Sequence, residues 1–312
     1  MNRHAGSERN LTLVMDLYEL TMAYNYFKQG NKDQLVYFDM FYRKNPDNGG
    51  FAVFAGLQQL IECIENLHFS EGDIQYLRSL QKFDEDFLDY LLDFKFTGSI
   101  YAIKEGTPVF PNEPLITVKA KFIEAQIIET MLLVTVNHQS LIATKAHRVV
   151  QEAKGRPVME FGARRAQGYD SATYGARAAY IGGVAGTATV SAGEMFDIPV
   201  VGTMAHSFVQ SFDNEYDALD DPDQLVKIFR QLKSQYGVYA VYGNHDIDEK
   251  ILAGFTFGSG REKKVSDPRM DEFVKRAGMK LLRDESVCID QSFYLYGRPD
   301  AEKVGRGISR RK

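Results

Sequence analysis

Residues 157–203 constrain the fold more than any other stretch. "PVMEFGARR" reads as a strand running into a loop, residues 171–180 and 187–196 read as helices, and "IPVVGT" reads as the next strand. The strand, helix, strand order suggests parallel strands joined by crossovers, since a parallel pair needs a long connection, usually a helix. The pattern therefore predicts an α/β barrel or an open α/β sheet, in which functional groups collect at the C-terminal ends of the strands. Both strands end in polar clusters: Arg164 and Arg165 after the first, and Thr203, His206 and Ser207 after the second. Only two such strands precede residue 215, whereas a closed barrel takes about eight. The rest of the chain must complete the barrel, or the barrel is not there.

Upstream, the periodicity changes several times. A helix is expected over 12–29, capped by Thr12 and ended by Gly30, with Leu13, Leu17, Leu20, Tyr24 and Phe27 on one face. "LVYFDMFY" at 35–42 reads as a strand, followed by helices near 53–66, after Ser70 with Asp73 three residues on, and near 84–93. Residues 98–120 carry short β runs separated by Gly, Pro and Asn, which predicts a small β subdomain. Residues 122–153 read as one helix stopped by Gly155 and Pro157. After Asp213 the chain turns acidic, and a helix near 222–234, the run "YGVYAVYGNHD", a helix at 269–277 and β runs at 279–289 and 292–297 follow. Three segments are expected: an α+β domain over 1–120, a helical connection with the first part of an α/β barrel over 121–217, and a separate segment over 218–312.

Composition excludes some classes of function. The net charge of −5 comes without a basic block, so nothing here tracks nucleic acid. Cys63 and Cys288 have neither metal-site spacing nor a disulfide framework. The polar start "MNRHAGSERN" is no secretory leader and no apolar run is long enough for a membrane span, so a cytoplasmic location is expected.

Five separated motifs stand in order: "DLYELTMAYNYF" at 16–27, "EGTPVFPNEPL" at 105–115, "LIATKAHR" at 141–148, "EFGARRAQG" at 160–168 and "GTMAHSFVQSF" at 202–212. Over about residues 10–217 the chain resembles the nicotinate phosphoribosyltransferases. The resemblance implies an irregular type II phosphoribosyltransferase α/β barrel with an N-terminal α+β domain. It implies synthesis of nicotinate mononucleotide from nicotinate and phosphoribosyl pyrophosphate in NAD salvage, driven by ATP through a phosphohistidine, with Mg²⁺ and a homodimer. The family's downstream Arg-Leu-Asp-Ser-Gly-Asp segment and later glycine-rich phosphate site have no counterpart here. Over about 220–300, "YGVYAVYGNHD" and "MKLLRDESVCIDQSFYLYGRPD" resemble part of a calcineurin-like metallophosphoesterase, again without most of its ligand motifs. The implied junction lies near Ala218–Pro222. Two alternatives stand beside the transferase: a metal-dependent phosphoesterase built on the last third, and an inactive fusion of two gene fragments.

The candidate residues follow. An imidazole attacks the terminal phosphoryl group of ATP only while neutral, a form abundant at about pH 7, and the resemblance assigns that step to His206. Ser207 and neighbouring N–H groups would hold phosphate oxygens. Planar guanidinium groups at Arg164 and Arg165 suit a carboxylate or phosphate, and alternation at a strand end turns only one of them to the ligand. By resemblance, Tyr18 lies near the nicotinate ring and Thr203 contacts nicotinate. The glycine turns at 182–183 and 186–187 could present N–H groups to an anion. Asn244 would be a metal ligand and His245 would act on phosphate if the phosphoesterase reading holds. His68, His138 and His147 read as structural.

Overall fold

The computed structural model describes residues 10–209, 211–212, 216–219, 221–242, 251–252, 255–256 and 267–297. By contacts the chain divides into two units, Met1–Gly202 and Thr203–Lys312.

The first unit begins with helix α1 (Leu17–Lys28), shorter than the periodicity predicts. Thr12 does not cap it, because its hydroxyl donates instead to the His68 carbonyl at 2.7 Å and pins the leading chain to another loop. Gly30, at φ 76°, ends the helix as expected. Strand β1 (Leu35–Met40) and the two-residue β2 (Ala52–Val53) lead into α2 (Leu57–Glu65), α3 (Glu71–Ser79) and α4 (Glu85–Leu92). The capping box before α3 forms: the Asp73 amide donates to Ser70 Oγ at 3.2 Å, and the Ser70 amide donates to the Asp73 carboxylate at 2.8 Å.

Residues 98–120 contribute β3 (Ser99–Ala102), β4 (Pro108–Val109) and most of β5 (Ile116–Lys121). These strands pair beyond their own segment. β5 lies between β1 and β3 in an antiparallel sheet, Leu35 opposite Lys121, and β4 pairs with β2. The core residues Phe54, Leu60, Phe87, Leu91, Ile116 and Ile123 belong to one cluster between this sheet and the helices. The expected helix over 122–153 is two helices, α5 (Phe122–Ile127) and α6 (Glu129–Glu152), broken at Ile128 with φ −95° and ψ 2°. The break sits where the chain passes from the sheet into the long helix, and no Gly or Pro marks it.

Parallel pairing is present, but a two-residue strand at Gly186–Thr187 lies where a glycine turn and the start of the 187–196 helix were expected, and the expected strand IPVVGT is a single bridge at Val200. β6 (Met159–Glu160) precedes α7 (Tyr169–Ile181), β7 (Gly186–Thr187) and α8 (Val190–Phe196). β6 pairs parallel with β7, and Thr187 bridges in parallel to Val200 on the following strand segment. Helices α7 and α8 are therefore crossovers. Gly182 lets α7 end against α6, since a Cβ there would stand 2.5 Å from the Ala143 carbonyl oxygen.

The second unit holds the short helix α9 (His206–Val209), α10 (Pro222–Phe229), β8 (Tyr239–Ala240), β9 (Ile251–Leu252), β10 (Phe255–Thr256), α11 (Pro268–Arg276), β11 (Lys280–Leu281), β12 (Glu285–Ile289) and β13 (Phe293–Gly297). Both longer helices start in the same way. Asp221 and Asp267 accept backbone N–H groups at 2.9 and 2.8 Å, and a proline follows each. β8 runs parallel to β11, and β12 with β13 forms an antiparallel hairpin. Val226, Met270, Phe273 and Val274 form the buried centre of this unit. The molecule is thus of mixed α/β class. Among the described residues no helix is long and apolar enough to cross a membrane.

Candidate functional site

At the C-terminal end of β6 the chain enters a 3₁₀ turn, Ala163–Arg165. The Glu160 carboxylate fixes this turn. It accepts the Gly162 N–H on one oxygen, and on the other the Thr187 hydroxyl at 2.6 Å and the Thr189 hydroxyl at 3.5 Å. Both threonines are buried at the end of β7. One side chain thus ties the arginine turn to the neighbouring parallel strand. Sequence reasoning passed over Glu160, whose bonds here are to neutral donors. The signal was its place directly before the Gly-Ala-Arg-Arg turn.

A cavity of about 390 Å³ opens beside this turn. Its walls include Glu160, Arg165 and Gln167 from the turn, His138 from α6, and Ser171 and Gly175 from α7. Arg165 lines the cavity and Arg164, also exposed, does not. His138 Nε2 is buried and without a hydrogen-bond partner among the described residues. Read from sequence as structural, His138 contributes a wall to the cavity. A guanidinium that lines a recess can take a carboxylate or phosphate oxygen.

Tyr18 lies in a second recess of the same unit, of about 440 Å³, with Asp16, Arg43, Thr130 and Asn137 among its walls. The Tyr18 hydroxyl donates to Glu129 Oε1 at 2.6 Å. That bond to a carboxylate, with some burial, raises the phenol well above its ordinary value, so it stays a neutral donor. Beneath it Glu19 is fully buried. Its Oε1 accepts the Thr130 N–H at 3.0 Å and the Thr130 hydroxyl, while its Oε2 has no partner among the described residues. Burial pushes the Glu19 carboxyl up, against the pull of the Thr130 bonds. Directly after the break at Ile128 come Glu129, which meets the Tyr18 hydroxyl, and Thr130, which lines this recess.

Thr203, His206 and Ser207 belong to the second unit and are exposed, with His206 and Ser207 in α9. Phe208 packs edge-on against Phe212, ring centroids 5.1 Å apart. Asn244 and His245 lie outside the described residues. Among the described residues no group of three or more His, Cys, Asp or Glu is placed to hold a metal ion. The glycine turns are structural at least in part. A Cβ on Gly186 would stand 2.7 Å from the Pro199 carbonyl oxygen.

Sequence reasoning also missed a mostly buried ion pair. Arg177 of α7 meets Glu105 through two hydrogen bonds, of 2.9 and 2.6 Å, with the side chains only 11% and 19% exposed. Burial pushes the Glu105 carboxyl up, but the Arg177 guanidinium and the Gly56 and Leu57 amides outweigh that and hold it below its ordinary value. The only signal was a charge set among Ala176, Ala178 and Ala179, on a helix with a buried face.

Comparison with known proteins places these elements. Residues 13–137 match the nicotinate phosphoribosyltransferase N-terminal domain, and residues 157–243 match the nicotinate phosphoribosyltransferase family. The second match runs past the expected junction at 218–222. A nicotinate phosphoribosyltransferase of Mycobacterium tuberculosis is 40% identical over 270 residues, covering 80% of this chain and 57% of that protein. One from Bacillus subtilis is 46% identical over 218 residues, covering 70% and 44%. The crystal structure of human nicotinic acid phosphoribosyltransferase superposes with a TM-score of 0.61 at 35% identity, over 64% of this chain and 41% of that one. The chain spans about half the length of the curated relatives it matches. With both parts of the family matched in order, the chain belongs to the nicotinate phosphoribosyltransferase family.

Proposed function

We propose that the chain is a nicotinate phosphoribosyltransferase, forming nicotinate mononucleotide from nicotinate and phosphoribosyl pyrophosphate in NAD salvage. The observation that carries the reading is the arginine turn at the C-terminal end of a parallel strand, inside the matched family region and beside a cavity. That is where α/β architectures hold their ligands, and a guanidinium suits both the nicotinate carboxylate and the substrate phosphates. The parallel segments β6, β7 and Val200 are read as the first part of the family's barrel.

In this reading His206 accepts the terminal phosphoryl group of ATP, and Ser207 holds a phosphate oxygen. Arg164 or Arg165 holds an anionic group, while Thr203 and Tyr18 contact nicotinate. The nicotinate nitrogen then displaces pyrophosphate at the anomeric carbon. Mg²⁺ would arrive on the phosphates, and no protein ligand is assigned to it. A cytoplasmic homodimer is the proposed working form. The metallophosphoesterase reading of the last third has less support, since the transferase match continues to residue 243.

The test supplies nicotinate, phosphoribosyl pyrophosphate, ATP and Mg²⁺ and follows nicotinate mononucleotide. In parallel, labelled ATP should give acid-labile phosphate on the wild-type chain and none on His206→Ala. Equal labelling of the two proteins removes His206 from the mechanism. Hydrolysis of a phosphodiester with Mn²⁺, with no mononucleotide formed, would move the function to the phosphoesterase alternative.

A further inference from the structure

The contact between α6 and α7 is smooth where it is closest. Gly175 faces Ile142, where a Cβ would stand 3.1 Å from Cδ1, and Gly182 faces the Ala143 carbonyl. Small residues let the two helices approach closely. Toward its C-terminal half α7 also carries a directional polar contact. Its N-terminal half forms one wall of the cavity, through Ser171, Ala172, Gly175 and Ala176, and the arginine turn leads into it through Gly168.

Arg177 supplies that contact. Its guanidinium donates to both oxygens of Glu105, to Gln58 Oε1 at 2.7 Å and to Gln139 Oε1 at 3.4 Å. It also sits 5.5 Å from the centre of the Phe196 ring on α8. Glu105 Oε1 in turn accepts the Gly56 and Leu57 N–H groups at 2.7 and 3.0 Å, at the start of α2. Gln139 donates to Gln59 Oε1 at 2.6 Å. One side chain therefore connects α7 to α2, to the Glu105 turn, to α6 and to α8. A planar fork with several donors fixes both distance and angle, which an ammonium group does not.

We propose that Arg177 is a positioning residue of the arginine turn. Through Glu105 it holds α7 in register, and so sets where Arg164 and Arg165 stand relative to the cavity. The proposal rests on reading that turn as the anion-binding part of the transferase site.

The experiment uses the full chain as wild type, Arg177→Gln, Arg177→Lys and Glu105→Gln. Hydrogen exchange is read at residues 162–176, where the Arg165 and Ala166 amides donate to the Gly162 and Ala163 carbonyls at 2.8 and 3.2 Å. Arg177→Gln should speed exchange there by about tenfold or more, with Arg177→Lys intermediate and α3 and α4 unchanged. Unchanged exchange at 162–176, or equal acceleration everywhere, overturns the proposal by reducing Arg177 to general stability. If Arg177→Gln does not fold, Arg177→Lys and Glu105→Gln, which keep part of the bond set, carry the same comparison. Calorimetric binding of nicotinate and of phosphoribosyl pyrophosphate is measured alongside, and Arg177→Gln should weaken whichever binds by about tenfold, since small misplacements of binding groups are costly. Wild type that binds neither compound sinks the functional reading, and the exchange data still decide the positioning role. Wild type that binds, with Arg177→Gln binding equally well, sinks the positioning role and leaves the function standing.

Discussion

Glu105→Ala should be among the most destabilising single changes in the first unit. The carboxylate accepts four hydrogen bonds, two from the Arg177 guanidinium and two from the free amides that begin α2. Truncation leaves a mostly buried guanidinium with only the Gln58 and Gln139 acceptors, and strips a helix start of its cap. Breaking a buried pair costs about 3–5 kcal/mol and losing a cap about 1 kcal/mol. The remaining acceptors and the partial exposure of Glu105 reduce this, so about 2–4 kcal/mol is expected. The internal control is Arg78 with Glu85, which make nearly the same fork at 2.8–3.0 Å. Those side chains are 46% and 62% exposed, so water replaces what Glu85→Ala removes. Urea unfolding followed by circular dichroism should show a midpoint lowered by about 1–2 M for Glu105→Ala and almost unmoved for Glu85→Ala. Equal shifts for both would refute the argument that burial, and not geometry, sets the strength of the pair. The pH dependence has a defined sign. Glu105 is held below its ordinary value of 4.5, so its contribution is complete above that pH and lost as pH falls through the lower folded value. Glu105→Gln should therefore differ from wild type at neutral pH, with the gap closing in acid.

Other substitutions probe other links. Gly56→Ala places a Cβ 2.8 Å from the Thr135 carbonyl oxygen at φ 107°, and strain plus overpacking should cost about 2–4 kcal/mol in a urea melt. Glu19→Gln keeps the Thr130 bonds and removes a buried charge. Because burial raises Glu19, the variant should melt higher than wild type, with a gap that opens as pH rises above about 4.5 and is absent below. Arg165→Ala should weaken an anion held in the 390 Å³ cavity by about tenfold to a hundredfold, by titration calorimetry. A loss confined to Arg164→Ala would place the ligand on the other face of the turn.

The sequence was most legible where local chemistry decides the outcome. The Ser70–Asp73 box, the Gly30 stop and the two helices after residue 168 all act through neighbours in the chain, and all are present, whereas the short strand at Gly186–Thr187 was hidden among glycines. Thr12 misled because its hydroxyl found a carbonyl 56 residues away, a choice that no local pattern encodes. The break at Ile128 was invisible for a similar reason: it falls in a run without Gly or Pro, where no local stop signal marks it. The expected β subdomain at 98–120 was right about strands and silent about partners, because β5 pairs with a strand from much earlier in the chain. The arginines could be named from their position at a strand end. Glu160, Glu105 and Arg177 could not, because the side chains they bind, 27 and 72 residues away, are set by the fold. His138 escaped because a histidine on a helix more often packs than lines a cavity.

The pairing of Leu35 with Lys121 also bears on how the chain is made. β1 cannot pair with β5 until a loop of 86 residues, 121 minus 35, has closed, and helices α2, α3 and α4 all lie inside that loop. Loop closure at that separation is slow compared with helix formation. On a ribosome the helices can form early, with their apolar faces uncovered, while β1 waits for β5 to emerge. A synthesis rate of about 5–20 residues per second leaves β1 as an unpaired edge for several seconds. Within the first unit, this is the interval in which a chaperone has most to cover.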